Sequence, residues 1–424
     1  MAPERSSHFD TDVVVIGAGP AGAAAAAQLV RLGHGVRVLE RSHFPRFSIG
    51  ESLLPQCMSH LETAGLLETV QSAGYQFKNG AAFTRGATRT AIDFREKFTE
   101  GWGTTFQIER ADFDQRLIHA AATYGAQVAF GVAVTDFRPD AERPRVSYTD
   151  EEGRTTTLTA RFVLDASGYG RVLARKLDLS RDPRLEPRMA LFTHVEDRID
   201  APDYDREKIL IGVHPEDPTI WYWLIPFANG HASVGVVGAI DTLERYGDNA
   251  EDRWRRLIDA EPRYRRLLHN ARPVRPIGEL KGYSADVSCL HGPGYALLGN
   301  AGEFLDPVFS SGVTIALRSA GLAAPLVDRQ LRGEPVDWQS DFETPLRQGI
   351  ATFRAFVDAW YDGRLQAIVF SEKQPDGLKR MISSVLAGYA WDERNPFVAA
   401  TDKRLTTLAQ LCGYTLPPAR QGST

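Results

Sequence analysis

A glycine-rich turn near the start of the chain constrains the fold more than any other feature. Gly17-Ala-Gly19-Pro-Ala-Gly22 follows the β-branched run at residues 12–16 and leads into residues 21–32, which favour a helix until Gly33. Residues 36–39 then predict a second strand. A strand, a glycine turn, a helix and a strand in about 30 residues form a βαβ unit. Such a unit requires a parallel sheet covered by helices, so we expect an α/β, doubly wound (Rossmann-like) fold.

In this setting the G-x-G-x-x-G spacing predicts a dinucleotide site. Gly17 and Gly19 permit the tight turn and the close approach of the backbone, and Gly22 lets the helix pack on the strand. The first helical turn, with Ala21, presents free N–H groups to a pyrophosphate. Glu40, at the end of the second strand, is placed to accept a hydrogen bond from a ribose hydroxyl. FAD and NAD share this pattern, so it does not choose between them.

Composition and charge exclude several classes of protein. The chain has 424 residues, 43% hydrophobic and 24% charged, which indicates a folded protein of two or three domains. A net charge of −5 supplies no general attraction for nucleic acid or anionic lipid. The three scattered cysteines predict neither a disulfide framework nor a metal site. The N-terminal residues lack an apolar signal segment and no window is apolar enough to span a membrane, so we expect a cytoplasmic protein.

Two later segments favour FAD. Residues 160–168, with Asp165 and Gly168, resemble the segment by which the chain of FAD hydroxylases returns to the cofactor. Residues 295–307 resemble their third motif, in which a strand end and the following turn hold the ribityl and phosphate groups. Many FAD hydroxylases have an aspartate where this chain has Asn300, so here an amide would make that contact.

Three further motifs indicate the class of reaction. Residues 221–226 fit W-x-W-x-I-P, residues 304–312 fit F-x-x-P-x-x-S-x-G, and residues 50–55 read GESLLP. With the glycine turn, these motifs make residues 12–312 resemble the flavin-dependent halogenases. The resemblance implies that FADH2 from a separate flavin reductase, O2 and chloride give hypochlorous acid. Trp221 and Trp223 would form a wall that keeps the organic substrate away from the flavin.

Lys78, in the segment Phe77-Lys78-Asn79-Gly80-Ala-Ala-Phe83, matches the reactive lysine of that family. An ammonium group can hydrogen-bond hypochlorous acid, and a free amine can form a chloramine. Burial between Phe77 and Phe83 would lower the pKa of Lys78, which makes either role accessible near neutral pH.

The resemblance, carried over residue by residue, implies a complete site. Its catalytic residues are Lys78, Trp221, Trp223 and Ser310, and its substrate contacts are Phe83, Phe304 and Phe309. Its cofactor contacts are Gly17, Gly19, Ala21, Gly22, Glu40, Arg41, Arg46, Ser52, Asp165, Gly168, Gly299, Asn300, Asp306, Pro307 and Gly312.

The differences between this sequence and the tryptophan halogenases narrow the range of expected substrates. Those enzymes have a glutamate where this chain has Phe309, which favours a ring that is already electron-rich. Asn300 and the Phe-Ser-Ser-Gly ending look more like the pyrrole-type halogenases, many of which act on an acyl group held by a carrier protein. Eight arginines between residues 253 and 275 predict a basic patch on which an acidic carrier protein would dock. A solvated, locally neutralised helix face is the other interpretation of that patch.

Residues 1–80, 107–180 and 286–345 are expected to form a discontinuous FAD-binding domain. Residues 81–106 and 181–285 would form an antiparallel substrate-facing sheet, and residues 346–424 a helical C-terminal region. Three alternative functions stay open: a halogenase of a free phenol or pyrrole, an FAD-dependent aromatic monooxygenase, and a non-enzymatic flavin-binding partner protein.

Overall fold

The computed structural model describes residues 9–182, 185–372 and 375–415. Its first sheet has six strands, in the order His291–Gly292, Tyr295–Leu297, Phe162–Asp165, Val13–Ile16, Val36–Leu39 and Gln127–Ala129. All neighbouring strands are parallel except the outer pair, His291–Gly292 and Tyr295–Leu297. The predicted α/β doubly wound fold is therefore confirmed.

The alanine-rich helix Pro20–Arg31 lies at the centre of the packing beside this sheet. It contacts the long helix Ser311–Leu331 and the helix Arg110–Thr123, while the helix Gln56–Ala64 packs on Ser311–Leu331. The side chains of residues 23–27 are at most 1% exposed. Because alanine is small, it lets neighbouring helices approach closely and bury a continuous interface.

A second, larger sheet lies beyond the first. Its strands follow the order Arg272–Pro273, Arg188–Glu196, His231–Ala239, Trp221–Pro226, Lys208–Val213, Gly80–Arg85 and Thr88–Asp93, and Gly278–Lys281 also pairs with Arg188–Glu196. The pairing is antiparallel except where Gly80–Arg85 runs parallel to Lys208–Val213. These two strands are far apart in the sequence, so no hairpin fixes their relative direction.

The two faces of the second sheet belong to different cores. Trp221, Trp223 and Ile225 point into the main core, whereas Tyr222 and Leu224 point into a smaller core. The helices Ala250–Ala260 and Pro262–Leu267 supply the apolar side chains that cover this second face. Strict alternation of buried side chains on Trp221–Pro226 thus places both tryptophans on the inner face.

The C-terminal region is helical, as expected. It contains the π-helical turn Gln339–Glu343 and the helices Thr344–Tyr361, Arg364–Val369, Asp376–Leu386, Pro396–Ala399 and Thr401–Leu411. Phe353, Phe356 and Trp360 are buried in the main core. Residues 416–424 of the expected region lie outside the described residues, and the domain boundaries themselves stay a prediction.

Smaller elements complete the chain. Two small sheets have two strands each: Gln76–Lys78 with Thr105–Gln107, and Ser180–Arg181 with Asp286–Val287. A third small sheet has three strands: Ala133–Arg138, Arg145–Thr149 and Thr155–Thr159. The short α-helices are Leu67–Gln71, Val172–Lys176 and Ile240–Glu244, and 3-10 turns cover Gly168–Gly170, Gly299–Ala301 and Pro307–Phe309. Within the described ranges, no helix combines the length and apolar character that crossing a membrane requires.

Candidate active site

A cavity of about 340 Å³ opens where the glycine turn leaves the parallel sheet. Gly17 has φ +96°, and a Cβ there would lie 2.6 Å from the carbonyl oxygen of Ala166. A Cβ on Gly22 would overlap the carbonyl oxygen of Gly17. Only glycine therefore fits these two positions, which lets the turn lie flat beneath the cavity.

Charged side chains surround the glycine turn. A Cβ on Gly19 would lie 3.5 Å from Arg46 Nη2, so this guanidinium stands directly over the turn. Glu40, 5% exposed, accepts hydrogen bonds from the backbone N–H groups of Ala18 at 2.8 Å and Ser42 at 2.9 Å. A cation over the free N-terminus of a helix suits a pyrophosphate, and the carboxylate beside it suits a ribose.

The cavity runs from this turn to the start of the helix Ser311–Leu331. Among the predicted site residues it is lined by Gly17, Gly19, Ala21, Glu40, Arg41, Arg46, Ser52, Gly168, Asn300, Phe304, Pro307, Ser310 and Gly312. The glycine cradle, the guanidinium and this elongated lining fit FAD. Four predicted contacts lie behind the cavity surface: Gly22, Asp165, Gly299 and Asp306.

Two of these four residues shape the backbone that borders the cavity. The buried Asp165 carboxylate accepts hydrogen bonds from the N–H groups of Ser167 at 2.9 Å and Leu173 at 2.7 Å, which holds the turn at Gly168. Gly299 has φ +53°, and a Cβ there would lie 3.0 Å from Ala316. Their direct contact with a cofactor stays a prediction.

Asp306 anchors the loop that carries Pro307 and Ser310. Its carboxylate accepts hydrogen bonds from the Tyr283 hydroxyl at 2.9 Å, from the Tyr361 hydroxyl and from the N–H of Val308 at 3.2 Å. Complete burial raises the pKa of Asp306, and these hydrogen bonds oppose that rise only in part. The carboxylate therefore holds the loop from behind the cavity surface.

Lys78 is buried, as expected, with 1% of its surface exposed. Its Nζ donates to Ser52 Oγ and to the carbonyl oxygen of Leu53, both at 2.7 Å. Desolvation lowers the pKa of Lys78 to about 7. This value makes both the ammonium and the free amine available near neutral pH.

Phe77 does not help to bury Lys78, so that part of the expectation is wrong. Phe77 and Lys78 are neighbours on a strand and therefore point to opposite faces, which leaves Phe77 39% exposed. Phe94 lies on the lysine side instead, with its ring centroid 5.4 Å from Nζ.

A second, much smaller cavity of about 20 Å³ lies at Lys78. Lys78 and Ser310 are the polar residues in its lining. The rest of the lining is apolar: Leu54, Ala81, Phe83, Phe94, Ile209, Ile211, Val308, Phe309 and Leu386. Ser310, in the left-handed conformation with φ +57°, lines both cavities and so stands where they meet.

Trp221 and Trp223 are buried side by side, with ring centroids 5.8 Å apart. Trp221 Nε1 donates to the Tyr361 hydroxyl at 2.9 Å, and Trp223 Nε1 donates to Ser233 Oγ at 3.0 Å. Both indoles belong to the main core and line neither cavity, so their role as a wall stays a prediction.

Sequence reasoning missed several residues at the site. Arg110 and Asp114 form a buried ion pair with N···O distances of 2.7 and 2.8 Å, and Asp114 also lies 3.3 Å from Arg46. Their i, i+4 spacing on a helix was an available signal. Tyr361, which links Trp221 to Asp306, has no local signal because both partners are distant in the sequence.

Comparison with known proteins identifies the family. Residues 10–273 match the family model described as FAD binding domain. The chain is 30% identical over 383 residues to the 1H-pyrrole-2-carbonyl-[peptidyl-carrier protein] chlorinase of Pseudomonas fluorescens, covering 84% of each protein. It is 31% identical over 345 residues to the tryptophan 2-halogenase of Chondromyces crocatus, covering 78% of this chain but spanning only 64% of that protein.

Solved structures show the same fold. A flavoprotein/dehydrogenase from Cytophaga hutchinsonii is 42% identical, with a TM-score of 0.91 over 95% of this chain and 99% of that one. The myxobacterial chondrochloren halogenase, described as a variant of FAD-dependent halogenases, is 29% identical, with a TM-score of 0.76 over 97% and 98%. By its FAD-binding domain and by the extent of its match to the pyrrole-carrier chlorinase, the chain belongs to the flavin-dependent halogenases.

Proposed function

We propose that this halogenase chlorinates an electron-rich aromatic ring, specifically a pyrrolyl group presented by a carrier protein. The chemistry that reduced FAD would supply when bound is the formation of hypochlorous acid from O2 and chloride. The observation that carries the substrate proposal is the lining of the Lys78 cavity, in which Lys78 and Ser310 are the polar residues. Such a lining offers no carboxylate to a substrate amino group.

The two cavities have different roles in the proposed reaction: the larger binds the cofactor, and the smaller receives the oxidant. The glycine turn and Arg46 would hold the pyrophosphate of FAD, and Glu40 would hold its ribose. Lys78 donates a hydrogen bond to the oxidant in the smaller cavity, where the apolar walls exclude water. Exclusion of water strengthens this hydrogen bond and protects the oxidant from side reactions.

The smaller cavity must open to admit a ring. Its volume of about 20 Å³ leaves room for roughly one water molecule, which needs about 10–15 Å³ of such space, and not for an aromatic ring. The C-terminal region contributes Leu386, at the end of the helix Asp376–Leu386, to its lining. A tethered ring suits this arrangement because the arm supplies a high effective concentration without polar contacts to the ring.

Five of the eight arginines at residues 253–275 are exposed, and this exposure supports docking of a carrier protein on the segment. Arg263 is buried against Asp203, Arg275 stacks on the ring of Phe47 with 3.3 Å from Cζ to the centroid, and Arg253 pairs with Glu279. The exposed arginines are Arg255, Arg256, Arg265, Arg266 and Arg272, of which Arg255 pairs with Glu251 and Arg266 with Asp203. An acidic carrier surface would complement them and gain mainly in association rate.

A separate reductase is the second partner that we propose. Flavin-dependent halogenases require a flavin reductase, and this sequence contains one dinucleotide fingerprint only. Reduced flavin would therefore be delivered from outside the chain.

One experiment tests the substrate proposal. The protein, FAD, a generic flavin reductase, NADH and chloride are incubated with pyrrole-2-carboxylate, either free or loaded on a carrier protein, and products are identified by mass spectrometry. We expect a chlorinated ring on the carrier and little turnover of the free acid. Chlorination of the free acid or of a simple phenol at the same rate would establish the alternative, a halogenase of free phenols or pyrroles.

The same experiment separates the remaining alternatives. Oxygen insertion that does not depend on halide would indicate an FAD-dependent aromatic monooxygenase. Binding of FAD without any halide-dependent product, across carrier-bound and free substrates, would favour a flavin-binding partner protein. The similarity to a flavoprotein/dehydrogenase makes the omission of chloride the essential control.

A further inference from the structure

Ser52 stands between the two cavities. It lines the larger, cofactor cavity, and its hydroxyl oxygen accepts a hydrogen bond from Lys78 Nζ at 2.7 Å. Lys78 in turn lines the smaller cavity. Ser52 is 3% exposed, so bulk water does not replace it as a partner of the lysine.

The hydrogen bonds of Lys78 leave a single direction free. An ammonium group has three N–H donors, and two of them go to Ser52 Oγ and the carbonyl oxygen of Leu53. Throughout the described part of the chain, no ion pair with a carboxylate is found for Lys78. The third donor is left for the smaller cavity, where the ring and the oxidant would meet.

The hydroxyl hydrogen of Ser52 is also uncommitted. Because Ser52 Oγ accepts from Lys78, its own O–H is free to donate, and no protein acceptor for it is found among residues 9–182, 185–372 and 375–415. The side that remains open to it is the cofactor cavity. Ser52 O–H and Lys78 N–H thus form two successive donors leading from one cavity to the other.

We propose that Ser52 is the positioning residue of Lys78: its hydroxyl fixes Nζ at the wall between the cavities, aims the remaining N–H at the smaller cavity and offers the oxidant its first donor on the cofactor side. This inference rests on the proposed function. It gives Ser52 a part in guiding the oxidant in addition to the cofactor contact expected from the sequence.

The test compares Ser52→Ala and Ser52→Thr with the wild-type holoenzyme. Loss of an acceptor destabilises the ammonium form, so the limb of the pH–rate profile that depends on Lys78 should move down by about one pH unit in Ser52→Ala. Product formed per O2 consumed should fall several-fold, and free oxidant, trapped with monochlorodimedone, should rise. Ser52→Thr keeps the hydroxyl and should restore both the wild-type pH limb and the wild-type coupling.

Ser48→Ala is the matched control, because Ser48 also lines the cofactor cavity but does not contact Lys78. It should leave the pH limb in place whatever it does to FAD affinity. A Ser52→Ala variant with weaker FAD binding, an unmoved pH limb and unchanged coupling would overturn the inference and leave Ser52 as a cofactor contact alone. Absence of halide-dependent product in the wild type, in contrast, would overturn the proposed function itself.

Discussion

Trp221 Nε1 donates to the Tyr361 hydroxyl at 2.9 Å, and the same hydroxyl donates to Asp306. This pair of hydrogen bonds joins a strand of the second sheet, a C-terminal helix and the loop that carries Ser310. Trp221 and Asp306 are buried and Tyr361 is half-buried, so water has little access to the two groups that the Tyr361 hydroxyl joins.

Tyr361→Phe should therefore destabilise the protein by about 1–3 kcal/mol, because it leaves the buried Trp221 N–H unpaired and removes one of the three hydrogen bonds that Asp306 accepts. Chemical denaturation followed by tryptophan fluorescence measures this loss. Tyr124→Phe is the control, since Tyr124 is 41% exposed and donates only to the carbonyl oxygen of Gly65. An equal effect of the two substitutions would contradict the role of Tyr361.

Gly235 lies opposite Trp223 on the neighbouring strand, and a Cβ there would overlap the indole. Gly235→Ala should displace Trp223 and cost about 1–3 kcal/mol through overpacking. If the tryptophans form the wall expected from the sequence, it should also lower the yield of chlorinated product per O2. Thermal unfolding and product analysis measure the two effects.

Gly321→Ala provides the matched comparison for that substitution. A Cβ at Gly321 meets open space within the helix Ser311–Leu331, so alanine should stabilise the protein by up to about 1 kcal/mol. We therefore expect Gly235→Ala to lower the free energy of unfolding and Gly321→Ala to raise it. Stabilisation by Gly235→Ala would show that the indole has room to move.

Local patterns in the sequence predicted much of the fold around the cofactor cavity. The helix predicted over residues 21–32 is Pro20–Arg31, and the second strand predicted over residues 36–39 is Val36–Leu39. These elements have strong periodicity or propensity, which act over a few residues. The parallel pairing of Gly80–Arg85 with Lys208–Val213 had no such signal, because it depends on segments that meet only in the folded chain.

The site shows the same division between local and distant contacts. Burial of Lys78 followed from its segment, but its partner Ser52 was expected only as a cofactor contact. Phe77 was assigned to the lysine by adjacency, and strand alternation places it on the other face. Motifs thus identified the groups, whereas the hydrogen bonds between groups depended on tertiary structure.

Lys78→Met should abolish halogenation while FAD binding and flavin reoxidation persist, because the change keeps the volume of the side chain and removes its donor. It should also stabilise the protein. Burial lowers the pKa of Lys78 to about 7 from 10.5 in the unfolded chain, so the folded state is penalised fully below pH 7. Chlorinated product near the wild-type rate would contradict the catalytic role.

The pH dependence of that stabilisation has a definite sign. Between pH 7 and 10.5 the unfolded chain binds more protons at Lys78 than the folded chain, so wild-type stability rises with pH. The advantage of Lys78→Met should therefore be largest near pH 6, on the order of 4 kcal/mol, and shrink toward pH 10. Melting temperatures of both proteins across this range measure it. The exposed Lys403, changed to Met, should show no such trend.

The protein alone should not oxidise NADH at catalytic rates. A single glycine fingerprint leads into a single cavity with the features of a dinucleotide site in the described chain, and we assign that cavity to FAD. Following NADH absorbance with FAD and O2, in the presence and absence of a flavin reductase, measures this directly. Rapid oxidation without the reductase would contradict the proposed dependence on a partner.

Reversal of Arg255 and Arg256 to Glu should raise the apparent KM for carrier-bound substrate and weaken its dependence on salt, because both arginines lie on the exposed face proposed to meet the carrier. Exposed charge pairs contribute about 0–1 kcal/mol each, so we expect an increase of roughly fivefold to tenfold for the pair. Arg255 already forms an ion pair with Glu251 at 2.9 Å, which limits its contribution to the change in KM.

Reversal of the exposed Arg138 and Arg145, on the separate three-stranded sheet, is the control. It changes the net charge by the same amount and should leave KM unaltered. Similar changes in KM for both pairs would indicate a general charge effect and contradict a docking surface at residues 253–275.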